Sequence, residues 1–167
     1  PRMEAMAGAL GSDVPFFLGS AAALVEGRGE RVTTLRPRTD FAVAAVIPSA
    51  VIGTAAAYAA LDAGAPRAAI APGAAAAVAA RYEVRPAREW GFLNSFDAVG
   101  MAVTEVAAAR DALLAAGAAA VRLTGSGSAL IAVFDGPETA GACVERVNAS
   151  GRRALLLRPL ATIPRVW

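Results

Sequence analysis

Leu10-Gly11-Ser12-Asp13-Val14-Pro15-Phe16-Phe17-Leu18 places one carboxylate between a glycine and a proline-led apolar run, and its reading decides the fold. Gly11 admits backbone angles closed to other residues, Ser12 and Asp13 are preferred helix N-caps, and Pro15 suits a first helical turn, where its missing N–H costs nothing. These residues predict a chain reversal followed by a short helical turn on a rigid apolar base, with Asp13 at the bend. On residue types alone, Asp13 serves as a helix cap. The segment Met3 to Leu10 before it reads as the end of a helix.

Working outward, Ala21 to Val25 and Arg31 to Leu35 are strand-compatible runs joined by Glu26-Gly27-Arg28-Gly29-Glu30, and so predict a hairpin whose glycines supply the turn. Gly-Arg-Gly-Glu is also able to bind an anion, although turns of this composition usually only turn the chain. The polar stretch Arg36 to Asp40 marks a domain boundary. Phe41 to Ile47, nearly all apolar and ended by Pro48, predicts a strand buried on both faces. Thr54 to Leu61 predicts a helix with Thr54 as N-cap. From Gly64 to Glu89 the chain is Ala-rich and broken by prolines and a glycine, with one short helix at about Ala74 to Tyr82.

Asn94-Ser95-Phe96-Asp97 opens what reads as the longest helix, continuing to about Ala116 with Val99, Val103, Val106 and Leu113 on one face. Ala120 to Leu123 and Ala129 to Phe134 are strand-like and flank Thr124-Gly125-Ser126-Gly127-Ser128. A glycine-rich loop of this kind is able to turn several backbone N–H groups toward a phosphate, and is equally able to form a plain hairpin. Pro137 opens the last helix, where Ala140, Cys143, Val144 and Val147 form the apolar stripe. Arg153 to Arg158 gives a final strand. From residue 41 onward this order predicts an α+β, ferredoxin-like sandwich.

The 167 residues suffice for a substantial apolar core, and no run approaches the roughly 20 consecutive apolar residues of a membrane-spanning helix. All 16 basic residues are arginine and the chain has no histidine, so a lysine-dependent phosphate loop, a Ser/His triad and a histidine metal site are excluded within these residues. The net charge of +2 and the scatter of the arginines predict a solvated surface and no nucleic-acid partner. The single Cys143 excludes an internal disulfide and fits a reducing compartment, and the expected localisation is cytoplasmic. Its place in the apolar stripe makes it a core residue and not a nucleophile.

Leu10 to Leu18, followed by Gly27-Arg28-Gly29-Glu30, resembles the GHMP superfamily of small-molecule kinases. Within it the likeness is to the branch that phosphorylates an alcohol bearing a cytidine diphosphate group, in non-mevalonate isoprenoid precursor synthesis. Asp13 matches the position of that family's general base; Ser12 stands where alanine is more usual. The resemblance further implies that Thr54 and Tyr58 line the cytidine end of the substrate pocket, the aromatic ring stacking on the base. It also implies that Thr124, Gly125, Ser126 and Gly127 form a loop on the phosphate side of the site. Asn94 and Asp97 match the outer positions of an Asn-Asp-Leu-Glu-like tetrad, and a helix cap accounts for that pattern without a catalytic role.

ATP is then the phosphoryl donor, with Mg²⁺ carried by the nucleotide and no protein metal site. The partner is a small-molecule substrate with a cytidine diphosphate group, with no nucleic acid and no membrane; the oligomeric state is left open. Residues 1–38 correspond to the end of the family's catalytic N-terminal domain and 39–167 to its ferredoxin-like C-terminal domain. The family's lysine motif and glycine-rich ATP loop are not in this sequence, so the chain is expected to be a piece of a longer protein and inactive alone. Two alternatives stand beside this reading: a GHMP kinase for another alcohol, of the homoserine or mevalonate type, and a non-enzymatic ferredoxin-like binding module.

Overall fold

The computed structural model describes residues 2–64 and 73–163. Two compact units arise from the chain's contacts. The first comprises Pro1–Thr39, Ile70–Arg85 and Pro159–Trp167, and the second Asp40–Ala69 with Pro86–Arg158.

In the first unit, helix α1 (Arg2–Leu10) gives way to a turn and then to a 3-10 helix over Val14–Leu18. Strands β1 (Ala23–Glu26) and β2 (Arg31–Thr34) pair antiparallel with Glu26 opposite Arg31, the hairpin that two glycine-separated runs predict. Helix α3 (Ala74–Val84) belongs to this unit as well. Tyr82 ties it there: its hydroxyl donates to the Arg36 carbonyl at 3.0 Å and accepts the Arg38 N–H at 3.1 Å. The Arg38 guanidinium in turn donates to the carbonyls of Tyr82 and Arg85. Part of the loop expected between Gly64 and the helix, residues 65–72, lies outside the described residues.

The second unit is built on a four-stranded sheet of β3 (Ala42–Val46), β4 (Arg122–Leu123), β5 (Leu130–Phe134) and β6 (Ala154–Leu157). Its spatial order is β4-β5-β3-β6 and every pairing is antiparallel. This is the strand order of the ferredoxin-like sandwich. With a strand on each side, β3 buries four of its five residues, Val43 alone being partly exposed, which is close to the strand buried on both faces that a continuous apolar run predicts.

Ala42, Ala44 and Val46 lie opposite Phe134, Ala132 and Leu130, and all six are buried. Strand side chains alternate, so these residues share one face. Helices α5 (Thr104–Ala115) and α6 (Pro137–Ala149) pack on it through Val106, Ala109, Leu113, Ala140, Cys143 and Val147, which complete the core. Cys143 is fully buried and not disulfide-bonded, as its place in the stripe requires.

The helix expected from Asn94 to Ala116 is instead two: α4 (Asp97–Met101) and α5, joined at Ala102 and Val103. Val103 is extended (φ −92°, ψ 114°), and its side chain turns into the core cluster. A β-branched residue gives up little by leaving the helix, and Gly100 weakens the first segment from within. Core packing therefore overrides the helical period. The longest described helix is α6, with 13 residues. No described helix is long and apolar enough to cross a membrane.

Candidate functional site

Asp13 sits in a tight turn. The Val14 N–H donates to the Gly11 carbonyl at 3.2 Å, and Asp13 has φ −88° and ψ −15°, the values of the third residue of a type I turn. The Gly11 N–H donates to Ala7 O at 3.2 Å, which fastens the turn to the end of α1. Pro15 is buried at the start of the 3-10 helix and anchors the other side. The expected chain reversal is therefore present, but the capping role is not: the Asp13 side chain makes no capping hydrogen bond. It is exposed.

The second unit contains the other sequence-derived site residues. After β4, the Thr124 N–H donates to Ala129 O at 2.9 Å and the Gly127 N–H to Thr124 O at 3.2 Å, closing a loop in which Gly125 and Gly127 have φ of 60° and 97°. Both glycines use backbone angles that side chains disfavour. At Gly127 there is a packing reason too, since a Cβ there would lie 3.1 Å from Ile52 Cδ1 and 3.3 Å from Leu123 Cδ2.

Helix α2 (Thr54–Ala63) faces this loop through its first residue: Thr54 Oγ1 and Ser126 Oγ are 3.2 Å apart. Thr54 was expected as N-cap, but the cap is Gly53, whose carbonyl accepts the Ala57 N–H at 2.9 Å. The cap position needs extended angles, which glycine adopts freely, and Thr54 one residue later keeps its hydroxyl for Ser126. One helical turn on, Tyr58 remains 53% exposed while its ring meets Phe96 edge-to-face at 5.0 Å. Thr54, Tyr58 and the glycine loop thus form one neighbourhood, with an aromatic face and two hydroxyl groups near the open backbone of Gly125.

Asn94 and Asp97, the outer residues of a tetrad whose pattern a helix cap accounts for, support that loop and the strand before it. Asn94 Oδ1 accepts the Phe96 N–H at 2.9 Å, the local bond expected of such a residue. Its Nδ2 donates across the chain to Leu123 O at 2.9 Å and to Gly125 O at 2.8 Å. Asp97 Oδ1 accepts the Leu123 N–H at 2.9 Å, and Oδ2 lies 3.4 Å from Arg122 Nε. The three-residue spacing of two short polar side chains is the available signal; their partners, 25 to 31 residues away, leave no local trace.

No three His, Cys, Asp or Glu side chains come together among the described residues to hold a metal ion.

The family model described as "GHMP kinases C terminal" matches residues 69–153. A 4-diphosphocytidyl-2-C-methyl-D-erythritol kinase of Symbiobacterium thermophilum is 35% identical over 162 residues, covering 90% of this chain and 54% of the relative. A kinase of the same name from Chloroherpeton thalassium is 36% identical, covering 87% and 52%. The chain spans about half the length of these curated relatives. A crystal structure of 4-(cytidine 5'-diphospho)-2C-methyl-D-erythritol kinase superposes with a TM-score of 0.68 at 28% identity, over 92% of this chain and 55% of that one.

Proposed function

The chain belongs to the GHMP kinases by its match to their C-terminal family, and from that premise we propose that it forms part of an ATP-dependent kinase for 4-diphosphocytidyl-2-C-methyl-D-erythritol. The observation that carries this reading is the likeness to a solved kinase of that name over 92% of the chain, with a TM-score of 0.68. On this reading the protein serves non-mevalonate isoprenoid precursor synthesis, and we propose the cytoplasm as its compartment. We read residues 1–38 as the end of the catalytic domain and 39–167 as the ferredoxin-like C-terminal domain.

Asp13 acts as general base: its carboxylate takes the proton of the substrate hydroxyl as that oxygen bonds to the γ-phosphorus of ATP and the bond to the departing ADP breaks. The absence of a capping bond supports this role, because the carboxylate is not spent on the backbone. Tyr58 stacks on the cytosine with its exposed face, while the edge contact to Phe96 fixes the ring plane. Thr54 and Ser126 orient the cytidine diphosphate end, and the backbone of Thr124, Gly125, Ser126 and Gly127 faces the transferring phosphate. ATP brings Mg²⁺ with it, and the ion's chemistry is to neutralise charge on the phosphates.

The test is Asp13→Asn in the complete gene product. The expected result is a loss of kcat of about 100-fold or more with an unchanged melting temperature; near-normal turnover would sink the assignment. Assaying the same protein with ATP against homoserine and mevalonate separates this reading from the other GHMP alcohols, and phosphorylation of none of the three leaves the non-enzymatic module.

A further inference from the structure

We infer that Gly29 is a positioning residue for the Asp13 carboxylate: the turn of the β1–β2 hairpin presses its bare α-carbon against the Ser12 carbonyl and thereby sets the bend that carries the base. The inference rests on the reading of Asp13 given above.

Gly29 is buried, whereas Gly27, Arg28 and Glu30 around it are exposed. It has φ +111°, and a Cβ placed on it would overlap the Ser12 carbonyl oxygen and lie 2.6 Å from the carbonyl carbon. The obstacle is backbone, which has no rotamer to escape into. The Ser12 carbonyl and the Asp13 N–H belong to one planar peptide unit, so displacing the carbonyl tilts the residue that holds the carboxylate.

Both sides of the contact are stiff. On the hairpin side, the Gly29 N–H donates to Glu26 O at 3.2 Å and the Arg28 N–H to Glu30 Oε2 at 2.6 Å. On the other side, the bonds from Gly11 to Ala7 and from Val14 to Gly11 hold the bend, and Pro15 is buried behind it. Where two stiff backbones meet, an added methyl group moves one of them, and a displacement of about 1 Å in a catalytic group costs about 100-fold in rate. The Gly27–Glu30 segment, which by composition only turns the chain, therefore also acts as a stop for the catalytic bend.

The experiment measures kcat and both KM values in the complete gene product for Gly29→Ala, Glu30→Ala and Gly151→Ala. Gly151 supplies the control: its φ is +83° and nothing lies within 4 Å of a Cβ there, so alanine incurs backbone strain without a collision. Gly29→Ala is expected to lower kcat by about 30- to 100-fold with both KM values within about 2-fold of the parent. Gly151→Ala is expected to melt earlier and keep its kcat. Glu30→Ala adds no atom but removes the carboxylate that closes the turn, and it should lower kcat about 3- to 10-fold at unchanged KM.

A folded Gly29→Ala with parental kcat overturns the inference, and so does an equal loss of kcat in Gly151→Ala or a loss confined to KM. If Gly29→Ala does not fold, Glu30→Ala decides, and an unaltered kcat there overturns it. Asp13→Asn in the same assay separates the two levels. If that variant keeps its rate, the assignment of the base falls and the inference falls with it; if it loses its rate while Gly29→Ala does not, only the inference falls.

Discussion

Asn94 Nδ2 donates to the carbonyl of Gly125 at 2.8 Å, and with its second N–H to that of Leu123 at 2.9 Å, so one amide holds both the last residue of β4 and the first glycine of the loop after it. Asn94→Ala would leave both carbonyls without this donor. The expected cost is about 1–2 kcal/mol in urea unfolding, because the site is only partly buried and water replaces part of the loss. Asn94→Asp should be worse than Ala, since a carboxylate would face two carbonyl oxygens and donate to neither. If the loop faces the transferring phosphate as proposed, both variants also lose kcat/KM, and a full-rate Asn94→Ala would detach the loop from the chemistry.

Tyr58 distinguishes recognition of the base from recognition of ATP. Its ring is half exposed and held at right angles to Phe96, so Tyr58→Phe should behave as the parent, the stack needing only a ring. Tyr58→Ala removes a face worth about 1–3 kcal/mol, which corresponds to a rise of about 5- to 150-fold in the KM for the cytidine substrate with the KM for ATP unchanged. Steady-state kinetics with each substrate varied in turn is the measurement, and equal shifts in the two KM values would count against stacking.

Much of the fold is legible in the sequence because its determinants are local. The hairpin follows from two strand-compatible runs around Gly27 and Gly29, and the last helix from Pro137 and a 3.6-residue stripe that includes Cys143. The failures share a different cause. The break at Val103 depends on a core that its side chain can reach, and the displacement of the cap from Thr54 to Gly53 depends on Ser126, 72 residues away. Attachment of α3 to the first unit rests on Tyr82 meeting Arg36 and Arg38 across more than 40 residues, which no periodicity encodes. Asp13, Tyr58 and the glycine loop are legible as residue types in a family-like order, whereas the bracing by Asn94 and Asp97 requires the sheet to be in place.

Gly100 tests how closely α4 packs on the sheet. A Cβ there would overlap Leu123 Cδ1 and lie 3.0 Å from Cγ, and Leu123 is itself only 3% exposed. Replacing glycine by alanine in a helix ordinarily gains about 1 kcal/mol, but overpacking a filled core costs about 1–3 kcal/mol. The second effect should prevail, so Gly100→Ala is expected to destabilise. Adding Leu123→Val removes the colliding methyl and should restore part of the loss, a non-additivity that denaturation of the two single variants and the double variant would reveal. Simple additivity would show that Leu123 has room to move.

Glu105 gives the second unit a predicted acid response. Its carboxylate accepts the Ser49 hydroxyl at 2.8 Å and the Ser49 N–H at 2.5 Å, joining the start of α5 to the loop after β3. The Ser49 hydroxyl bond, followed by the Ser49 backbone bond, holds the Glu105 carboxyl below its ordinary value of 4.5. A group whose pKa is lower in the folded state contributes stability that is present above the unfolded value and lost as pH falls through the folded one. The contribution is therefore complete above about pH 4.5 and disappears on further acidification. Ser49→Ala deletes the larger of the two bonds, so between about pH 6 and about pH 3 its stability should decline less steeply than the parent's. Chemical denaturation across that range provides the comparison. Parallel curves for the two proteins would mean that Ser49 does not hold the Glu105 proton off.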